Sequence, residues 1–241
     1  MKVAIIMPYY NEKELLVKSV DAVLKQTYTD WHLYLIDDGS IVGNRAYEVI
    51  NVTPELSKKI TFVYKPNGGV SSARNQAINM ILNGPVNLSY DAVAYCDSDD
   101  VWSSDYLEQQ VKALTLLGVV FNEADMVYAI PEFRFVDGTK AVPYGIADYP
   151  EFPGTKKLLE GNCIFVSGVV HKVKCLDVGF FDWSLNSIED WDYWARISES
   201  RYKIRKNPNA TFVYTVKPGG NGSKSDSTVY EKFHKKHSVF K

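Results

Sequence analysis

The sequence lacks the long apolar runs that mark membrane proteins. No run approaches the roughly 20 apolar residues that a helix needs to cross a bilayer. The apolar opening, Lys2–Met7, is too short for a signal peptide and ends at Pro8. We therefore expect a protein without an integral membrane segment, located in the cytoplasm, with peripheral attachment to a membrane left open.

Cysteine and net charge are scarce as well. Only three of the 241 residues are cysteines, namely Cys96, Cys163 and Cys175, and they lack the spacing of a metal site. We interpret them as reduced thiols, as in a cytoplasmic protein. The formal net charge of −2 provides no overall basic field for nucleic acid, although a local patch could still bind it.

Two glycine-rich phosphate-binding motifs are also absent. The chain contains neither G-x-G-x-x-G nor G-x-x-x-x-G-K-S/T, which argues against a dinucleotide dehydrogenase and against a P-loop enzyme. The composition, with 46% hydrophobic and 23% charged residues, is that of an ordinary globular protein. We expect one domain over residues 1–241 with two functional regions, 1–118 and 119–241.

Apolar runs alternate with helical patterns in the first half of the chain. The predicted strands are Val3–Met7, Leu33–Ile36, Ile60–Tyr64 and Ala92–Cys96, and helices are predicted after Asn11 and over Ser71–Leu82 and Asp105–Leu117. Asn11 and Glu14 predict a capping box at the first helix. Such alternation implies an α/β fold with a mostly parallel sheet. The carboxyl ends of its strands then share one edge, where such sheets bind ligands.

The second half of the chain changes character. The patterns predict apolar segments at Met126–Ile130 and Phe133–Val136, a hairpin turn at Asp137-Gly138, a loop over Pro143–Pro153, a helix over Ile188–Ser198 and a flexible loop over Lys217–Ser223. Because no low-complexity linker separates the halves, we expect both to share one sheet.

The segment Asp97-Ser98-Asp99-Asp100 follows directly on the last predicted strand of the first half. Carboxylates one residue apart repel each other unless a cation lies between them, and hard divalent cations that also hold phosphates prefer oxygen ligands. Asp and Ser are equally common in turns and at helix starts. The segment alone leaves a metal site and a plain turn both open.

A second acidic segment, Asp37-Asp38-Gly39-Ser40, ends the second predicted strand. A carboxylate there can accept a hydrogen bond from a nucleotide base or from ribose, and we choose Asp38 for the base edge. An Asx turn into Gly39 is an equally good interpretation of the same residues.

These segments recur with others in the order found in one enzyme family. The motifs are Met7-Pro8-Tyr9-Tyr10-Asn11, Gln26-Thr27-Tyr28, Asp37-Asp38-Gly39-Ser40, Asn67–Asn75, Asp97–Trp102, Gly179-Phe180-Phe181-Asp182 and Glu189–Arg196. Together they resemble the inverting glycosyltransferases of family 2, and the match covers most of residues 3–197. The resemblance implies a GT-A fold, a Rossmann-like architecture with a mostly parallel mixed sheet flanked by helices.

The resemblance further implies a nucleotide-diphosphate sugar as donor, with a UDP-sugar as the first choice, bound through Mn²⁺ or Mg²⁺. Asp99 is then the metal ligand and Asp97 holds the ribose or the donor sugar, while Asp100 supports the cluster or caps the next helix. The metal would orient the departing diphosphate and neutralise its charge. Further expected donor contacts are Pro8, Tyr9, Tyr10, Asn11, Asn67, Arg74 and Ser98. Lys217, which lies beyond the residues that carry the resemblance, is expected to contact the donor because its positive charge suits a diphosphate.

The family's catalytic base corresponds to the pair Glu189-Asp190. Asp190 takes the role of base, which requires its carboxylate within about 3 Å of the acceptor hydroxyl, and Glu189 orients the acceptor or the helix end. An acidic first turn that favours the helix dipole is the alternative. Asp192 is the next candidate for the base.

Other residues keep two interpretations. Arg74 is equally well a helix-capping arginine in a salt bridge, and the loop Lys217–Ser225 is either a lid over the diphosphate or a surface loop. Trp102 and Trp183 are candidate sugar platforms, although burial is the commoner fate of tryptophan. Core positions are expected for Trp191, Trp194 and Ile197, and a structural role for His171.

The leading hypothesis is a metal-dependent inverting glycosyltransferase of glycan assembly, with residues 1–118 binding the donor and residues 119–241 the acceptor. The alternatives are a catalytically silent nucleotide-sugar binding module and a nucleotidyltransferase, which Glu189–Trp194 disfavours. A glycan or a lipid-linked sugar is the first choice of acceptor, and the sequence leaves the oligomeric state open. The minority choice, a modified nucleic-acid base, depends on a basic tail formed by Lys232, His234, Lys235, Lys236, His237 and Lys241. That tail and the tyrosine-rich stretch Tyr128–Tyr149 are expected on the acceptor side.

Overall fold

Strands and helices alternate along the first half of the chain, as the sequence predicts. The computed structural model describes residues 1–84, 89–115, 124–142, 149–217 and 226–238. The strands are β1 (Val3–Tyr9), β2 (Trp31–Asp37), β3 (Ile60–Tyr64), β4 (Ala92–Tyr95), β5 (Val101–Trp102), β6 (Met126–Phe135), β7 (Val169–Lys172) and β8 (Ile204–Val216). The helices are α1 (Lys13–Leu24), α2 (Ala46–Val49), α3 (Leu56–Lys59), α4 (Val70–Asn83), α5 (Tyr106–Thr115), α6 (Thr155–Glu160), α7 (Glu189–Glu199) and α8 (Ser227–Lys236).

The described strands form one sheet in the order β3-β2-β1-β4-β7-β6-β8-β5. The pairs β3–β2, β2–β1, β1–β4 and β6–β8 are parallel, and the pairs β4–β7, β7–β6 and β8–β5 are antiparallel. The sheet is therefore mixed and joins both halves of the chain. The four predicted strand ends of the first half meet at one edge, because β1 to β4 run in the same direction.

The second half forms longer strands than the sequence indicates. The two predicted segments Met126–Ile130 and Phe133–Val136 are one strand, β6, which pairs with β8 through a register shift between Tyr128 and Ile130. The shift lies just before Pro131, which has no backbone N–H to offer a neighbouring strand. The predicted turn at Asp137-Gly138 is confirmed, since Gly138 has φ +86° and donates its N–H to the Phe135 carbonyl.

Each face of the sheet carries a hydrophobic core. Along β1, Val3, Ile5 and Met7 belong to the core that includes α1 and α5. Ala4 and Ile6 belong to the opposite core, which includes α4 and α7. Because successive side chains of a strand point to opposite faces, a strand covered on both sides is a continuous apolar run. This explains why β1 and β4 stand out in the sequence.

The predicted capping box at α1 is wrong. The helix begins at Lys13 and has no side-chain cap. Asn11 instead adopts φ +61°, its Oδ1 accepts a hydrogen bond from Ile41 N–H at 2.9 Å, and its own N–H donates to Ser40 Oγ at 2.9 Å. The asparagine therefore joins the loops that follow β1 and β2 at the ligand-binding edge.

Some predictions fall outside the described residues. These are the lid beyond Lys217 (218–225), the middle of the tyrosine-rich stretch (143–148) and Lys241. Among the helices that the structure describes, none combines the length and the apolar character that crossing a bilayer requires.

Candidate active site

Asp38 ties together the loops that follow β2 and β3. Its carboxylate accepts hydrogen bonds from Lys65 Nζ at 2.6 Å and from the backbone N–H groups of Gly68 at 3.1 Å and Gly69 at 2.7 Å. Asn67 Nδ2 donates to the Asp38 carbonyl at 2.8 Å. The predicted donor residues Asp38 and Asn67 thus lie together at the sheet edge. A nucleotide base that donates to Asp38 would share its carboxylate oxygens with the N–H groups of Gly68 and Gly69.

The three predicted donor residues at the end of β1 differ in exposure. Pro8 and Tyr9 are buried, and Tyr9 OH donates to the Asn44 carbonyl at 2.6 Å. Tyr10 is 50% exposed, so it is the most accessible of these three residues to a nucleotide base. Ser98 is also buried, in the turn that follows β4.

Asp97, Asp99 and Asp100 form a carboxylate cluster beyond β4. One oxygen of each lies within 4.8 Å of the others. Asp100 Oδ1 accepts a hydrogen bond from the backbone N–H of Thr215 at 2.9 Å, whereas Asp100 Oδ2 is buried with no hydrogen-bond partner among the described residues. Withdrawal from water, followed by repulsion within the cluster, raises the pKa of Asp99 and of Asp100. The donor set, rich in oxygen and in negative charge, fits a divalent cation such as Mg²⁺ or Mn²⁺.

Lys217 reaches this cluster from the end of β8. Its Nζ lies 2.7 Å from Asp99 Oδ2 and 2.6 Å from Glu12 Oε2. Burial alone would lower the pKa of Lys217, but Asp99 and Glu12 outweigh it and raise that pKa. The predicted donor-binding lysine is therefore charged and positioned beside the predicted metal ligand.

Arg74 links the cluster to the first turn of α7. Its buried guanidinium donates from Nη2 to Asp97 Oδ1 at 2.8 Å and from Nη1 to Glu189 Oε1 at 2.9 Å. Burial alone would lower the pKa of Arg74, but Asp97 and Glu189 outweigh it and keep the group charged. Of the two interpretations of Arg74, the salt bridge is the one observed, because the guanidinium is not exposed to a donor. Glu189 contacts Arg74, and its expected role in orienting the acceptor or the helix end stays a prediction.

Asp190 lies beside Glu189 and is a partly buried residue. Asp190 Oδ1 accepts a hydrogen bond from Trp191 N–H at 2.7 Å, and Oδ2 accepts one from Asn162 Nδ2 at 3.3 Å. Withdrawal from water and then the charge of Glu189 raise the pKa of Asp190 to about 7. A carboxylate with that pKa is suited to act as a general base near neutral pH.

Asp192, the alternative base, is sealed inside the protein. It is fully buried and pairs with Arg196 Nε at 2.9 Å, Lys236 Nζ at 2.8 Å and His237 Nε2 at 3.1 Å. Burial opposes ionisation, but these partners outweigh it and lower the pKa of Asp192 to about 2. Such a group neither reaches an acceptor nor takes a proton at neutral pH, so Asp192 is excluded as the base.

Two of the six residues of the predicted basic tail, Lys236 and His237, form internal ion pairs. Lys236 also pairs with Asp182 at 2.8 Å, and His237 Nδ1 lies 2.6 Å from Glu199 Oε1. The tail therefore fixes α8 to α7. Lys232 and Lys235 remain exposed, which is a smaller basic surface than the nucleic-acid alternative assumes.

The aromatic candidates separate clearly. Trp102 is buried, stacks on Tyr106 and donates from Nε1 to the Ser167 carbonyl, so it is not a sugar platform. Trp183 is 77% exposed and stays a candidate. The expected core positions of Trp191, Trp194 and Ile197 and the structural role of His171 are confirmed, since all four are buried. His171 Nε2 lies 3.0 Å from Tyr95 OH.

Several residues of the site carry no recognisable signal in the sequence. Asn162 holds Asp190, Ser167 Oγ accepts the N–H of Asp97 at 2.9 Å, and Thr215 holds Asp100. Each contact joins residues more than 25 positions apart. In the sequence these three residues are single polar residues among apolar ones. Most such residues simply hydrogen-bond inside a protein, so the pattern does not mark a functional site.

The comparison with sequence families gives one clear match. Residues 4–216 match the family described as Glycosyl transferase family 2. The chain is 23% identical over 237 residues to the uncharacterized glycosyltransferase YwdF of Bacillus subtilis, covering 94% of this chain and 78% of YwdF. It is 31% identical over 186 residues to the succinoglycan biosynthesis protein ExoW of Rhizobium meliloti, covering 76% of this chain and 52% of ExoW.

A third relative is named for its donor and its acceptor. The UDP-Glc:alpha-D-GlcNAc-diphosphoundecaprenol beta-1,3-glucosyltransferase WfgD of Escherichia coli is 34% identical over 119 residues, covering 49% of this chain and 43% of WfgD. The chain thus spans about half the length of ExoW and less than half of WfgD.

Solved structures share the fold. Residues 1–349 of S. aureus TarS in complex with UDP-GlcNAc align with a TM-score of 0.72 at 16% identity, covering 99% of this chain and 66% of that one. The mannosyltransferase PcManGT from Pyrobaculum calidifontis, in complex with GDP-Man and Mn²⁺, aligns with a TM-score of 0.65 at 17% identity, covering 91% of this chain and 58% of that one. The expected GT-A architecture is therefore confirmed.

Proposed function

The chain belongs to glycosyl transferase family 2, and on that premise we propose that it is a metal-dependent inverting glycosyltransferase. The donor is a nucleotide-diphosphate sugar, with a UDP-sugar as the first choice. The observation that carries the proposal is a connected pair of sites. A carboxylate cluster suited to a cation is joined through Arg74 to the segment that holds Asp190, a carboxylate poised to accept a proton.

The donor half of the site is assigned to residues 1–118. Asp99 would hold the metal, and Asp97 the ribose or the donor sugar. When bound, the ion would act as a Lewis acid that neutralises charge developing on the diphosphate. The exposed ring of Tyr10 would contact the base of the nucleotide. Asp38 and Asn67 lie at the same edge of the sheet.

The chemical step is assigned to Asp190. Its carboxylate accepts the proton of the acceptor hydroxyl while the acceptor oxygen forms a bond to the anomeric carbon of the donor. The bond from that carbon to the diphosphate oxygen breaks, and its electron pair leaves with the diphosphate. Because base and leaving group lie on opposite faces of the sugar, the anomeric configuration inverts, as in single-displacement glycoside hydrolysis.

The acceptor half is assigned to residues 119–241, and a saccharide or lipid-linked saccharide of glycan assembly is the proposed acceptor. The names of ExoW, a succinoglycan biosynthesis protein, and of WfgD, whose acceptor is a diphosphoundecaprenol-linked sugar, support this choice. Lys236 and His237 already form internal ion pairs, so they are less available to bind phosphates, which disfavours a nucleic-acid acceptor.

Donor turnover tests the proposal. UDP-glucose, UDP-GlcNAc, UDP-galactose, dTDP-glucose and GDP-mannose are incubated with the protein and MnCl₂, and release of the nucleoside diphosphate is measured with and without a chelator. We expect one donor to be cleaved in a Mn²⁺-dependent manner. Asp190→Asn is expected to lose about 100- to 10,000-fold in turnover, the contribution typical of a general base, while UDP binding measured by calorimetry is unchanged.

The outcomes separate the hypotheses. Nucleotide binding without cleavage of any donor supports the silent binding module instead. Full turnover in the presence of chelator contradicts metal dependence, and full turnover of Asp190→Asn moves the base to another residue. Glu55→Gln, an exposed change immediately before α3, removes one negative charge as a matched control and is expected to leave turnover unchanged.

A further inference from the structure

Lys217 is held between two carboxylates that belong to different parts of the fold. Its Nζ lies 2.7 Å from Asp99 Oδ2 and 2.6 Å from Glu12 Oε2, and about a third of its side chain (32%) is exposed. Both distances are those of charge-assisted hydrogen bonds. The ammonium therefore occupies the cluster as a cation supplied by the protein itself.

Both anchors of Lys217 are fixed by the surrounding structure. Glu12 follows Asn11, whose side chain and N–H are bonded to the loop after β2. On the other side, Thr215 donates its N–H to Asp100 and its hydroxyl to the Asp99 carbonyl. The contact between Lys217 and Asp99 is thus set by β8 and by the exit of β1, and not by a freely moving side chain.

Two cationic side chains already contact the carboxylates of this edge. Arg74 contacts Asp97 and Glu189, and Lys217 contacts Asp99 and Glu12. A divalent cation that binds the same oxygen, Asp99 Oδ2, would displace the ammonium, which keeps its contact with Glu12. A nucleoside diphosphate brings new negative charge to the same place and offers the displaced ammonium a second anion.

We propose that Lys217 and a divalent cation compete for Asp99, and that Glu12 is a positioning residue that retains the displaced ammonium at the mouth of the site. Metal and nucleoside diphosphate then bind cooperatively. The metal frees the Lys217 ammonium for the diphosphate, and the diphosphate draws the ammonium away from Asp99. This inference depends on the proposed role of Asp99 as the metal ligand. It assigns to Glu12, which the sequence did not single out as a site residue, a part in that site.

Mn²⁺ binding, measured from the free-ion EPR signal, tests the proposal without any turnover. Without nucleotide, Lys217→Met is expected to bind Mn²⁺ about tenfold more tightly than the parent protein, a factor in the usual range of site-to-site coupling. The gain in Mn²⁺ affinity that saturating UDP produces is expected to be smaller in this variant. Lys217→Arg keeps the cation and is expected to resemble the parent protein.

Glu12→Gln provides the second arm. Loss of Glu12 makes displacement of the ammonium harder, so Mn²⁺ alone is expected to bind several-fold more weakly. In the Lys217→Met background the same change is expected to have little effect, because no ammonium remains to be retained. If Glu12→Gln weakens Mn²⁺ binding equally in both backgrounds, Glu12 acts through its charge alone and the positioning role is wrong.

Controls distinguish the possible failures. Lys112→Met removes an equally charged side chain from an exposed pair with Glu108 and is expected to leave Mn²⁺ affinity unchanged. Unchanged or weaker Mn²⁺ binding by folded Lys217→Met, with normal binding in the presence of UDP, overturns the competition only. Absence of Mn²⁺ binding by the parent protein even with UDP contradicts the metal site itself, and with it both proposals. Thermal unfolding of each variant verifies the fold.

Discussion

Arg74 Nη1 donates a hydrogen bond to Glu189 Oε1 at 2.9 Å, across 115 positions of the chain. The other end of the same guanidinium holds Asp97. The proposed donor site and the proposed base segment are therefore not independent pieces brought to one edge. A single buried cation sets the position of one relative to the other.

Removal of this cation is expected to be costly. Arg74→Met leaves two carboxylates facing each other in a region withdrawn from water, and breaking a buried pair in this way typically costs about 3–5 kcal/mol. We expect the free energy of unfolding, measured with urea at pH 7, to fall by that amount. Arg74→Lys keeps the charge but not the forked geometry, so it is expected to recover part of the loss.

An exposed arginine serves as the comparison. Arg205 pairs with Glu151 at 3.4 Å, with both side chains about half exposed. Surface pairs of this kind contribute about 0–1 kcal/mol, so Arg205→Met is expected to change stability little. Equal losses for the Arg74 and Arg205 variants would show that the link between the sites contributes nothing special to the fold.

The parts of the site that depend on local sequence were predictable. Asp38, Asn67 and Asp97 end predicted strands that run in parallel, and parallel strands bring their carboxyl ends to one edge whatever the rest of the chain does. These placements need only strand direction and the order of elements. Asp190 was indicated by the resemblance to family 2, because an acidic pair at the start of a helix predicts by itself only a favourable interaction with the helix dipole.

The parts that depend on long-range packing were not predictable. An arginine at position 74 is compatible with a donor contact or with a salt bridge. The position of Glu189, which the sequence does not reveal, favours the salt bridge. Asn11 matches a helix cap by composition, yet the loop after β2 lies close enough to use its side chain. In the sequence, Lys236 and His237 look like part of a solvent-exposed or ligand-binding tail. In the structure they pair with Asp192 of α7. In each case a partner far away in the chain determines the role.

The raised pKa of Asp190 predicts how activity depends on pH. A base must be unprotonated, so kcat/KM is expected to rise as the pH approaches the pKa of about 7 and to level off above it. Asn162→Ala removes a donor to the ionised carboxylate, so the midpoint of the profile is expected to move to higher pH. A profile that is flat from pH 5 to 9 would contradict the role of Asp190.

The same pKa has a consequence for stability. Between its ordinary pKa of 3.8 and about 7, Asp190 binds its proton more tightly in the folded than in the unfolded chain. Stability therefore decreases as the pH rises through this range. Asp190→Asn removes that decrease, and urea unfolding at pH 5 and pH 8 is expected to show a variant that gains stability relative to the parent at the higher pH.

His237 predicts a second pH dependence, at the junction of α7 and α8. Burial alone would lower its pKa, but hydrogen bonds to Asp192 and Glu199 outweigh it and raise the pKa above the ordinary 6.5. The stability that the imidazolium contributes is fully present below 6.5 and is lost as the pH rises through the raised value. Lys236 and Arg196 also pair with Asp192.

His237→Gln tests this dependence, because glutamine can donate a hydrogen bond but does not titrate. At pH 6 the variant is expected to lose about 1.5–3 kcal/mol, the usual value of a hydrogen bond to a charged group. The difference from the parent protein is expected to shrink as the pH rises. A constant difference from pH 6 to 9 would assign the effect to packing against Phe233 and not to charge.

Two glycines at the ligand-binding edge separate backbone strain from crowding. Gly39 and Gly69 have φ of +88° and +84°, where residues with a side chain are strained by about 1–3 kcal/mol. A Cβ on Gly39 would lie 2.6 Å from the backbone nitrogen of Asn67, whereas one on Gly69 would meet no atom of the described residues within 4 Å.

Gly69→Ala is therefore expected to lose about 1–3 kcal/mol of stability from strain alone, with UDP affinity nearly unchanged. Gly39→Ala is expected to lose more, and also to weaken UDP binding, because the Asn67 loop must move away from Asp38. Urea unfolding and calorimetry with UDP measure the two effects separately. Equal stability losses and equal UDP affinities in the two variants would mean that the contact between the loops after β2 and β3 does not shape the donor site. A loss of UDP affinity specific to Gly39→Ala would tie that contact directly to nucleotide binding.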